Sequence, residues 1–301
     1  MTPASHIRDS RGDRIFYAVN TISLTLLLLI VAYPLYFVVI ASISDISFVN
    51  AGEVVFWPKG ISFVGYEKVL SHAGVRTGAL NTLFYTLAGT AINLCLTMTG
   101  AYALTVDFPG RGFINFLFAF TMFFSGGMIP SYFVVRSLGM LDTIWAMLLP
   151  GAVSMYNLII ARTFISSTIP AELFEAAQID GCGKIRFFLS VVVPLSGTLI
   201  AILTLFCAVS HWNSYFNAIL YINERKLYPL QLILREILIQ NQVAANEIRN
   251  ITDIEGQAAL QKIADSMKYS LIIISTLPIL AVYPFLQKYF VKGVMIGSVK
   301  G

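Results

Sequence analysis

Long stretches without any charged residue dominate the pattern of apolar and polar positions along this chain. Six of these stretches hold at least 19 residues each, and they lie at residues 15–44, 77–106, 112–135, 143–161, 187–223 and 269–287. A helix needs about 20 mostly apolar residues to cross the roughly 30 Å hydrocarbon core of a bilayer, because each residue adds about 1.5 Å. The pattern therefore predicts an all-α, polytopic membrane protein whose residues 15–290 form a domain of six transmembrane helices.

The composition agrees with a membrane protein. Of the 301 residues, 57% are hydrophobic and 12% are charged, and the mean hydropathy is +0.76. Soluble globular domains carry a smaller apolar share and about twice as many charged residues. Composition therefore disfavours a soluble protein.

Lysine and arginine divide evenly between the two sides of the six helices, with 10 of the 20 on the side of the N-terminus. Two features break this tie. Arg8, Arg11 and Arg14 precede the first helix, and the loops on the opposite side are longer, so they translocate largely regardless of charge. We therefore expect cytoplasmic tails at residues 1–14 and 291–301, and an extracytoplasmic segment at residues 219–268.

The predicted extracytoplasmic segment contains an amphipathic helix after Pro229. Five apolar residues recur there at helical spacing: Leu230, Ile233, Leu234, Ile237 and Leu238. Such a face can pack over the outer ends of the helices, lie on the membrane surface, or serve as a docking face for an external partner.

Signatures of catalysis are missing. The chain has no GxxxxGK[ST] motif for nucleotide phosphates, and His6, His72 and His211 are far apart in the sequence. The charge-free stretches hold none of the ionisable relays that proton-coupled transporters use, although a sodium-coupled mechanism could use carbonyl groups of broken helices. We therefore expect no catalytic residue, no metal site and no enzyme activity in this chain.

Neutral polar and aromatic side chains do occur inside the predicted helices. The candidates for contact with a hydroxyl-rich cargo are Tyr85, Asn93, Tyr156, Asn157, His211, Trp212, Asn213, Tyr215 and Asn217. Aromatic faces stack on sugar rings, and amides and phenols exchange hydrogen bonds with hydroxyl groups. The same side chains are also typical of interhelical hydrogen bonds and of aromatic residues at the membrane interface.

A short charged insert follows the fourth predicted helix and forms the first half of the segment AELFEAAQIDGCGKIRFFLSVVVPL, residues 171–195, which leads into the fifth. We expect the loop that contains this insert at residues 166–194. Pro170 and Glu172 suit the first turn of a helix, which we expect over residues 170–179. Gly181 suits the left-handed position that ends a helix, and Gly183 allows a turn before a second helix leads into the fifth span. The insert therefore predicts two short helices with a bend between them.

The first of these helices has features of a contact surface. Ala176 and Ala177 have little side-chain bulk, so another surface can approach closely, and Glu175 offers an anion that an arginine or lysine could hold. The helix can dock in a groove of a partner. It can equally be an ordinary amphipathic helix lying on the membrane.

A motif of fixed spacing runs through the insert: Glu175, Ala176, Ala177, Gly181 and Pro194. It resembles the EAA loop of the permease subunits of ABC importers, with Val191 and Val193 in place of the isoleucine and leucine of that pattern. Further segments resemble the YtcP/LplC-like group of carbohydrate permeases, which is related to one membrane subunit of maltose-type importers: RDSRGD, TMFFSGGMIPSY, HWNSYFNAILYI, LYPLQLILREILIQN and VKGVMIGSVKG. The resemblance implies a type I ABC importer transmembrane domain in a bacterial cytoplasmic membrane.

The resemblance also implies roles and partners. The ATPase-coupling residues would be Glu175, Ala176, Ala177, Asp180, Gly181 and Pro194. The partners would be a second homologous permease, two ATP-binding subunits and an extracytoplasmic solute-binding protein, with no nucleic acid. This chain would bind no cofactor, because ATP and Mg²⁺ belong to the ATP-binding subunits, and its cargo would be an oligosaccharide. The alternatives are another polar solute on the same scaffold, and a membrane assembly subunit that transports nothing.

Overall fold

The computed structural model describes residues 10–247 and 254–297. Within these ranges the chain consists of helices, loops and one isolated bridge between Ser44 and Ile61. The predicted all-α class is confirmed. Residues 1–9 and 298–301 of the two predicted tails lie outside the described residues, as do residues 248–253 of the predicted extracytoplasmic segment.

The α-helices of the described residues are, in chain order, α1 (Arg11–Ser42), α2 (Ile46–Asn50), α3 (Val64–Leu70), α4 (Ala73–Ala103), α5 (Arg111–Phe123), α6 (Met128–Ser137), α7 (Trp145–Leu148), α8 (Met155–Thr168), α9 (Ala171–Ile179), α10 (Lys184–Phe187), α11 (Val193–Leu195), α12 (Gly197–Trp212), α13 (Tyr215–Tyr221), α14 (Leu230–Glu247) and α15 (Ile254–Gly297). A π-helix at Phe188–Val192 connects α10 to α11, and a 3₁₀ turn at Arg225–Leu227 precedes α14.

Three helical segments among the described residues are long and apolar enough to cross a membrane: α1, α4 and Gln261–Val282 within α15. Two bent pairs raise this number to five if each pair is one span. Helices α5 and α6 meet at 120°, and the helical stretch Lys184–Leu195 meets α12 at 81°. Length and composition thus support a multi-pass membrane protein, and the count of six spans stays a prediction.

The fourth and fifth charge-free stretches are interrupted. In the fourth, Gly151 follows Pro150 and has φ +74°, a left-handed value that separates α7 from α8. In the fifth, the chain bends after Pro194, which cannot donate a backbone hydrogen bond, and it breaks again at Asn213 and Ser214. In both stretches the structure therefore replaces the single predicted helix with several shorter ones, because absence of charge does not guarantee a continuous helix.

The described residues form two compact units, the first of which comprises residues 10–69, 240–247 and 254–274. Its core lies where α1 ends and α2 begins, and its buried apolar residues are Ile40, Ala41, Ile46, Val49 and Val54. Helix α15 joins this core through an ion pair of 3.0 Å between Lys262 and Asp45. It also packs closely on α3, since a Cβ added to Gly65 would lie 2.4 Å from Ser270 Oγ.

The second unit comprises residues 70–239 and 275–297 of the described chain, and α4 lies at its centre with α8 and α12 packed along it. One cluster of buried residues includes Tyr85, Met147, Leu148, Ala218, Tyr221 and Leu232. Another, toward the C-terminal end of α4, includes Met98, Ala101, Ala161, Phe187, Val192 and Leu203. Each cluster joins α4 to segments distant in the sequence, so α4 organises the unit.

Helix α14 confirms the predicted amphipathic helix and shows where its apolar face lies. Leu230, Ile233, Leu234 and Ile237 are buried. The backbone N–H of Leu230 donates to Thr82 Oγ1 of α4 at 2.7 Å. A Cβ added to Gly78 of α4 would lie 2.5 Å from Ile233 Cδ1. The apolar face therefore packs against the bundle, as the first of the three interpretations expects.

Asp142 joins the loop after α6 to the loop after α13. Its carboxylate accepts hydrogen bonds from the backbone N–H and the side-chain amide of Asn223 and from the backbone N–H of Glu224. Its own N–H donates to the carbonyl of Tyr221 at 3.0 Å. Hydrogen bonds from Asn223, that of its backbone N–H foremost, hold the pKa of the Asp142 carboxyl below its usual range. Asp142 also has φ +56°, a left-handed value that Asp and Asn tolerate better than most residues.

We expect Asp142→Asn to lower the thermal stability of the purified protein at pH 7. Asn tolerates the same backbone conformation, so the change removes mainly the charge and one acceptor. Because the folded pKa of this carboxyl is depressed, its stabilisation is present above the unfolded pKa of about 3.9 and is lost as pH falls through the folded value. The difference in Tm between wild type and variant should therefore shrink below about pH 4.

The control for this experiment is Asp107→Asn. The Asp107 side chain is 93% exposed and pairs with Arg111 at 2.5 Å, and exposed pairs contribute little to stability. An Asp142→Asn variant whose Tm equals that of the control at every pH would contradict the stabilising role.

Candidate functional site

The insert at residues 166–194 folds into the predicted pair of short helices. It is called the coupling loop below, after the role that the resemblance implies. Pro170 precedes α9 with φ −61° and ψ 143°, an extended conformation that begins the helix. The predicted helix over residues 170–179 is observed as Ala171–Ile179, with Glu172 in its first turn. Helix α10 begins after Gly183 and continues through the π-helix into α11. The prediction of two helices with a bend is confirmed.

A Schellman motif ends α9. The N–H of Cys182 donates to the carbonyl of Ala177 at 2.8 Å, and the N–H of Gly181 donates to the carbonyl of Gln178 at 3.0 Å. Gly181 has φ +73°, as this motif requires at the residue after the cap. Ala177 and Cys182 both pack against the buried cluster below the loop, which is the apolar contact that accompanies the motif. The bend thus has a defined geometry.

Aromatic side chains hold the coupling loop to the end of α4. The Phe174 and Phe187 rings meet edge to face with centroids 5.1 Å apart, and Tyr102 of α4 stacks on Phe188 at 5.1 Å. The Tyr102 hydroxyl also donates to the carbonyl of Lys184 at 3.2 Å. The close packing expected at Ala177 is therefore made with this chain's own core, whereas Ala176 is exposed. The aromatic contacts therefore link α9 to α10, and α10 and the π-helix to the end of α4.

The opposite face of α9 is acidic and apolar. Glu172, Glu175 and Asp180 are exposed, and the structure shows no ion pair for them with any described residue. Ile179 is 88% exposed and Ile185 of α10 is 77% exposed. This face could receive a partner that offers cations beside apolar groups.

A cleft of about 480 Å³ opens beside α9, between the ends of α4 and α8 and the start of α10. Tyr102, Phe174 and Phe187 contribute aromatic walls, and Glu175 and Lys184 contribute charges. The cleft is large enough to admit a side chain of a partner protein.

Pro194, the last residue of the predicted motif, is separated from Gly181 by α10 and the π-helix. It lies in α11, directly before the 81° bend into α12. A proline removes a backbone donor and favours such bends. Its structural effect is on the direction of the chain that leaves the coupling loop, rather than on the exposed face of α9.

Four of the nine cargo candidates use their polar groups inside the protein. The Tyr85 hydroxyl donates to the carbonyl of Leu227 at 2.9 Å, and Trp212 Nε1 donates to the carbonyl of Ser275 at 2.9 Å. With the Asn93 amide oriented to satisfy both of its ends, it donates to the carbonyls of Gly89 and Ala152 at 3.0 and 3.1 Å. It then accepts from His211 Nε2 at 3.2 Å. These contacts favour the interhelical interpretation for Tyr85, Asn93, His211 and Trp212.

The other five candidates are exposed or half-buried. Tyr156 is 60% exposed and Tyr215 is 41% exposed. Asn213 is exposed and donates only to the carbonyl of Val209 among the described contacts, while Asn157 and Asn217 are half-buried. The structure brings Asn213, Tyr215 and Asn217 together at the break between α12 and α13, and it places Tyr156 and Asn157 at the start of α8. A role in cargo contact stays a prediction for all nine residues.

Sequence reasoning missed two residues beside these candidates. A Cβ added to Gly89 of α4 would lie 2.4 Å from the ring of His211, so the absence of a side chain lets α12 approach. The sequence feature that could have indicated this contact is the spacing of Gly89 and Asn93, because a small and a polar residue one turn apart in an apolar stretch are typical of a helix–helix contact. Arg235 of α14 lies with its guanidinium carbon 5.6 Å from the centroid of the Tyr215 ring. The sequence feature that could have drawn attention to Arg235 is its position as a single cation among the apolar residues of the amphipathic helix.

The described residues contain no group of three or more His, Cys, Asp or Glu side chains that could hold a metal ion.

Comparisons with known proteins complete the description of the site. No model of a protein family matches the chain. It is 39% identical over 296 residues to protein LplC of Bacillus subtilis (strain 168), which covers 98% of this chain and 98% of that protein. It is also 39% identical over 274 residues to the polygalacturonan/rhamnogalacturonan transport system permease protein YtcP of the same organism, covering 91% of this chain and 94% of that one.

A solved structure is similar over nearly the whole chain. It is a bacterial ABC transporter involved in the import of the acidic polysaccharide alginate. The matched chain has 34% sequence identity and a TM-score of 0.82, and the match covers 94% of this chain and 99% of that one.

We expect Gly181→Ala to loosen the end of α9. A Cβ at Gly181 meets nothing within 4 Å, so the cost arises from the left-handed backbone alone and is about 1 kcal/mol. Amide hydrogen exchange at Gln178–Cys182 should then be roughly fivefold faster in purified protein. Gly181→Asn, which tolerates this conformation, should show a smaller effect.

The matched control is Gly183→Ala, two residues further along the loop. Gly183 has φ −73° and an added Cβ there also meets nothing within 4 Å. Equal acceleration of exchange in both alanine variants would exclude a specific requirement at Gly181.

We expect Gly89→Ala to destabilise the second unit by roughly 1–3 kcal/mol, because the added methyl group would overlap the ring of His211. Thermal unfolding of detergent-solubilised protein measures the change. Gly100→Ala on the same helix is the control, since its Cβ would meet only the flexible end of Leu158, at 3.2 Å. In a Gly89→Ala/His211→Ala double variant, the loss should be smaller than the sum of the single losses; an additive result would argue against the contact.

Proposed function

Because this chain belongs to the permease subunits of carbohydrate ABC importers, we propose that it moves an oligosaccharide across the membrane and couples to ATP-binding subunits through α9. The chain is a multi-pass membrane protein and a transport subunit rather than an enzyme. The coupling proposal rests on one observation, the exposed acidic and apolar face of α9. The bend at Gly181 and the aromatic contact between Phe174 and Phe187 hold this helix in place.

The contacts of the coupling loop support a mechanical role. Phe174 and Tyr102 tie α9 and α10 to the bundle, so a partner that moves α9 would move the end of α4 with it. The π-helix and the bend after Pro194 then connect the same loop to α12. ATP-driven closure of two ATP-binding subunits would thus tilt α4 and α12 together and change which side of the membrane the pathway faces.

Importers of this family work with ATP-binding subunits and a solute-binding protein. We propose that ATP and Mg²⁺ bind on the ATP-binding subunits, that a second homologous permease completes the pathway, and that an extracytoplasmic solute-binding protein delivers the cargo. The acidic face of α9 suits a partner groove that carries an arginine or lysine near Glu175.

The length of α4 supports the proposed orientation. Its contact with the coupling loop at Tyr102 lies 20 residues after its contact with α14 at Thr82, a rise of about 30 Å, which is the thickness of a hydrocarbon core. The coupling loop and α14 therefore belong on opposite sides of the membrane. We propose that the coupling loop and both termini are cytoplasmic, and that α14 is extracytoplasmic in a bacterial cytoplasmic membrane.

The names of two similar proteins support a proposal for the cargo class. YtcP is named for polygalacturonan and rhamnogalacturonan, and the solved transporter takes part in the import of alginate, an acidic polysaccharide. We propose that this chain transports an oligosaccharide that contains uronate. Asn213, Tyr215 and Asn217, at the break between α12 and α13, are the candidates best placed to contact its hydroxyl groups.

We expect Glu175→Lys to abolish cargo-stimulated ATP hydrolysis in the reconstituted transporter while the subunits still assemble. The substitution places a cation where a partner cation is expected, so repulsion replaces attraction. ATPase activity with loaded binding protein and co-purification of the ATP-binding subunits are the two measurements.

Glu172→Lys makes the same change of charge on another exposed residue of α9 and serves as the control. It should leave most of the stimulation in place. Full stimulation in Glu175→Lys, or equal loss in both variants, would refute a specific anchor at Glu175.

A further inference from the structure

Arg235 differs from the cations around it. Arg225 pairs with Glu236 at 3.2 Å, and Lys226 pairs with Glu224 at 2.5 Å. Arg235 is exposed and forms no ion pair with any described residue. Its guanidinium carbon lies over the ring of Tyr215, 5.6 Å from the ring centroid.

This arrangement leaves Arg235 ready for an anion. A guanidinium that lies over an aromatic ring is attracted to the ring through its face, while the N–H donors at its edge remain available. Those donors match the two oxygens of a carboxylate in a bidentate pair. Tyr215 therefore holds the cation in place without neutralising it.

The position is also suitable for contact with cargo. Tyr215 is the first residue of α13 and follows the break at Asn213 and Ser214. Asn213 is exposed at this break. The charge-free stretches contain no lysine or arginine, so a cation that binds an acidic sugar has to come from outside them. Helix α14 provides such a cation, because Arg235 lies beside Tyr215 in the interrupted fifth stretch.

We propose that Arg235 binds a carboxylate of the uronate cargo at the mouth of the pathway, with Tyr215 as the residue that positions its guanidinium. This inference rests on the proposed function, because it assigns the part of this chain that selects acidic over neutral oligosaccharides.

The test uses the complete transporter in proteoliposomes with its binding protein, and trigalacturonate and its methyl ester as probes. Arg235→Gln should reduce uptake of trigalacturonate about tenfold or more, since hydrogen bonds to charged groups contribute about 1.5–3 kcal/mol. Uptake of the uncharged ester should be unchanged. Arg235→Lys should restore part of the loss, and Tyr215→Leu should weaken uptake of the acid more than uptake of the ester.

Lys226→Gln is the matched control, because it removes a neighbouring cation that Glu224 already neutralises; it should leave uptake of both probes unchanged. Equal loss of both probes in Arg235→Gln, or full uptake of trigalacturonate, would overturn the role of Arg235 and leave the proposed importer standing. If the wild-type complex transports only the uncharged ester, that result would also overturn the role of Arg235 and leave the proposed importer standing. A wild-type complex that takes up no oligosaccharide would instead overturn the proposed function and this inference together.

Discussion

Close contact along α4 is the constraint on which the larger unit depends. Gly78 leaves room for Ile233 of α14, and Gly89 leaves room for the ring of His211 of α12. Inside a bilayer, helices gain little from burying apolar surface against one another, so close packing and interhelical hydrogen bonds have to hold them together. Asn93, one turn after Gly89, supplies such a bond to His211. A side chain at either glycine would separate α4 from the helices that carry the rest of the site.

The breaks in the other helices lie where the coupling loop connects to the helices packed around α4. Three sets of contacts hold the coupling loop in its conformation: a Schellman motif at Gly181, an edge-to-face aromatic pair below α9, and a stacked pair at Tyr102. The π-helix and the bend after Pro194 lie beyond these points. π-helical turns often occur at functional sites, and prolines bend helices in a fixed direction. Under the proposed function, a motion of α9 would reach α4 through the contacts of Phe187 and Phe188, and α12 through the bend.

Charge is placed only where the membrane permits it. An ionised side chain in the hydrocarbon core is costly, and the charge-free stretches of this chain avoid that cost. Recognition of charge must then occur at the two ends of α4. The exposed carboxylate of Glu175 belongs to the end near Tyr102, and the guanidinium of Arg235 belongs to α14, which is bonded to Thr82 near the other end. Under the proposed function, one chain would contact an ATP-binding subunit and an acidic cargo without a buried ion.

The amino-acid sequence by itself determined the features that depend on local chemistry. Charge-free length predicted a helical membrane protein, Pro170 and Gly181 predicted the bounds of α9, and the spacing from Glu175 to Pro194 predicted the family. The sequence could not show which polar groups would find partners, because Asn93 and His211 are 118 residues apart and meet only when α12 packs on α4. Similarly, Ala176 and Ala177 look alike as neighbours, and only the direction in which α9 lies on its core partly buries Ala177 and exposes Ala176. Tertiary packing also decided that Arg235 would lie over Tyr215. A contact between two helices depends on how both of them pack against α4 and its neighbours, and the local sequence of neither helix specifies this packing.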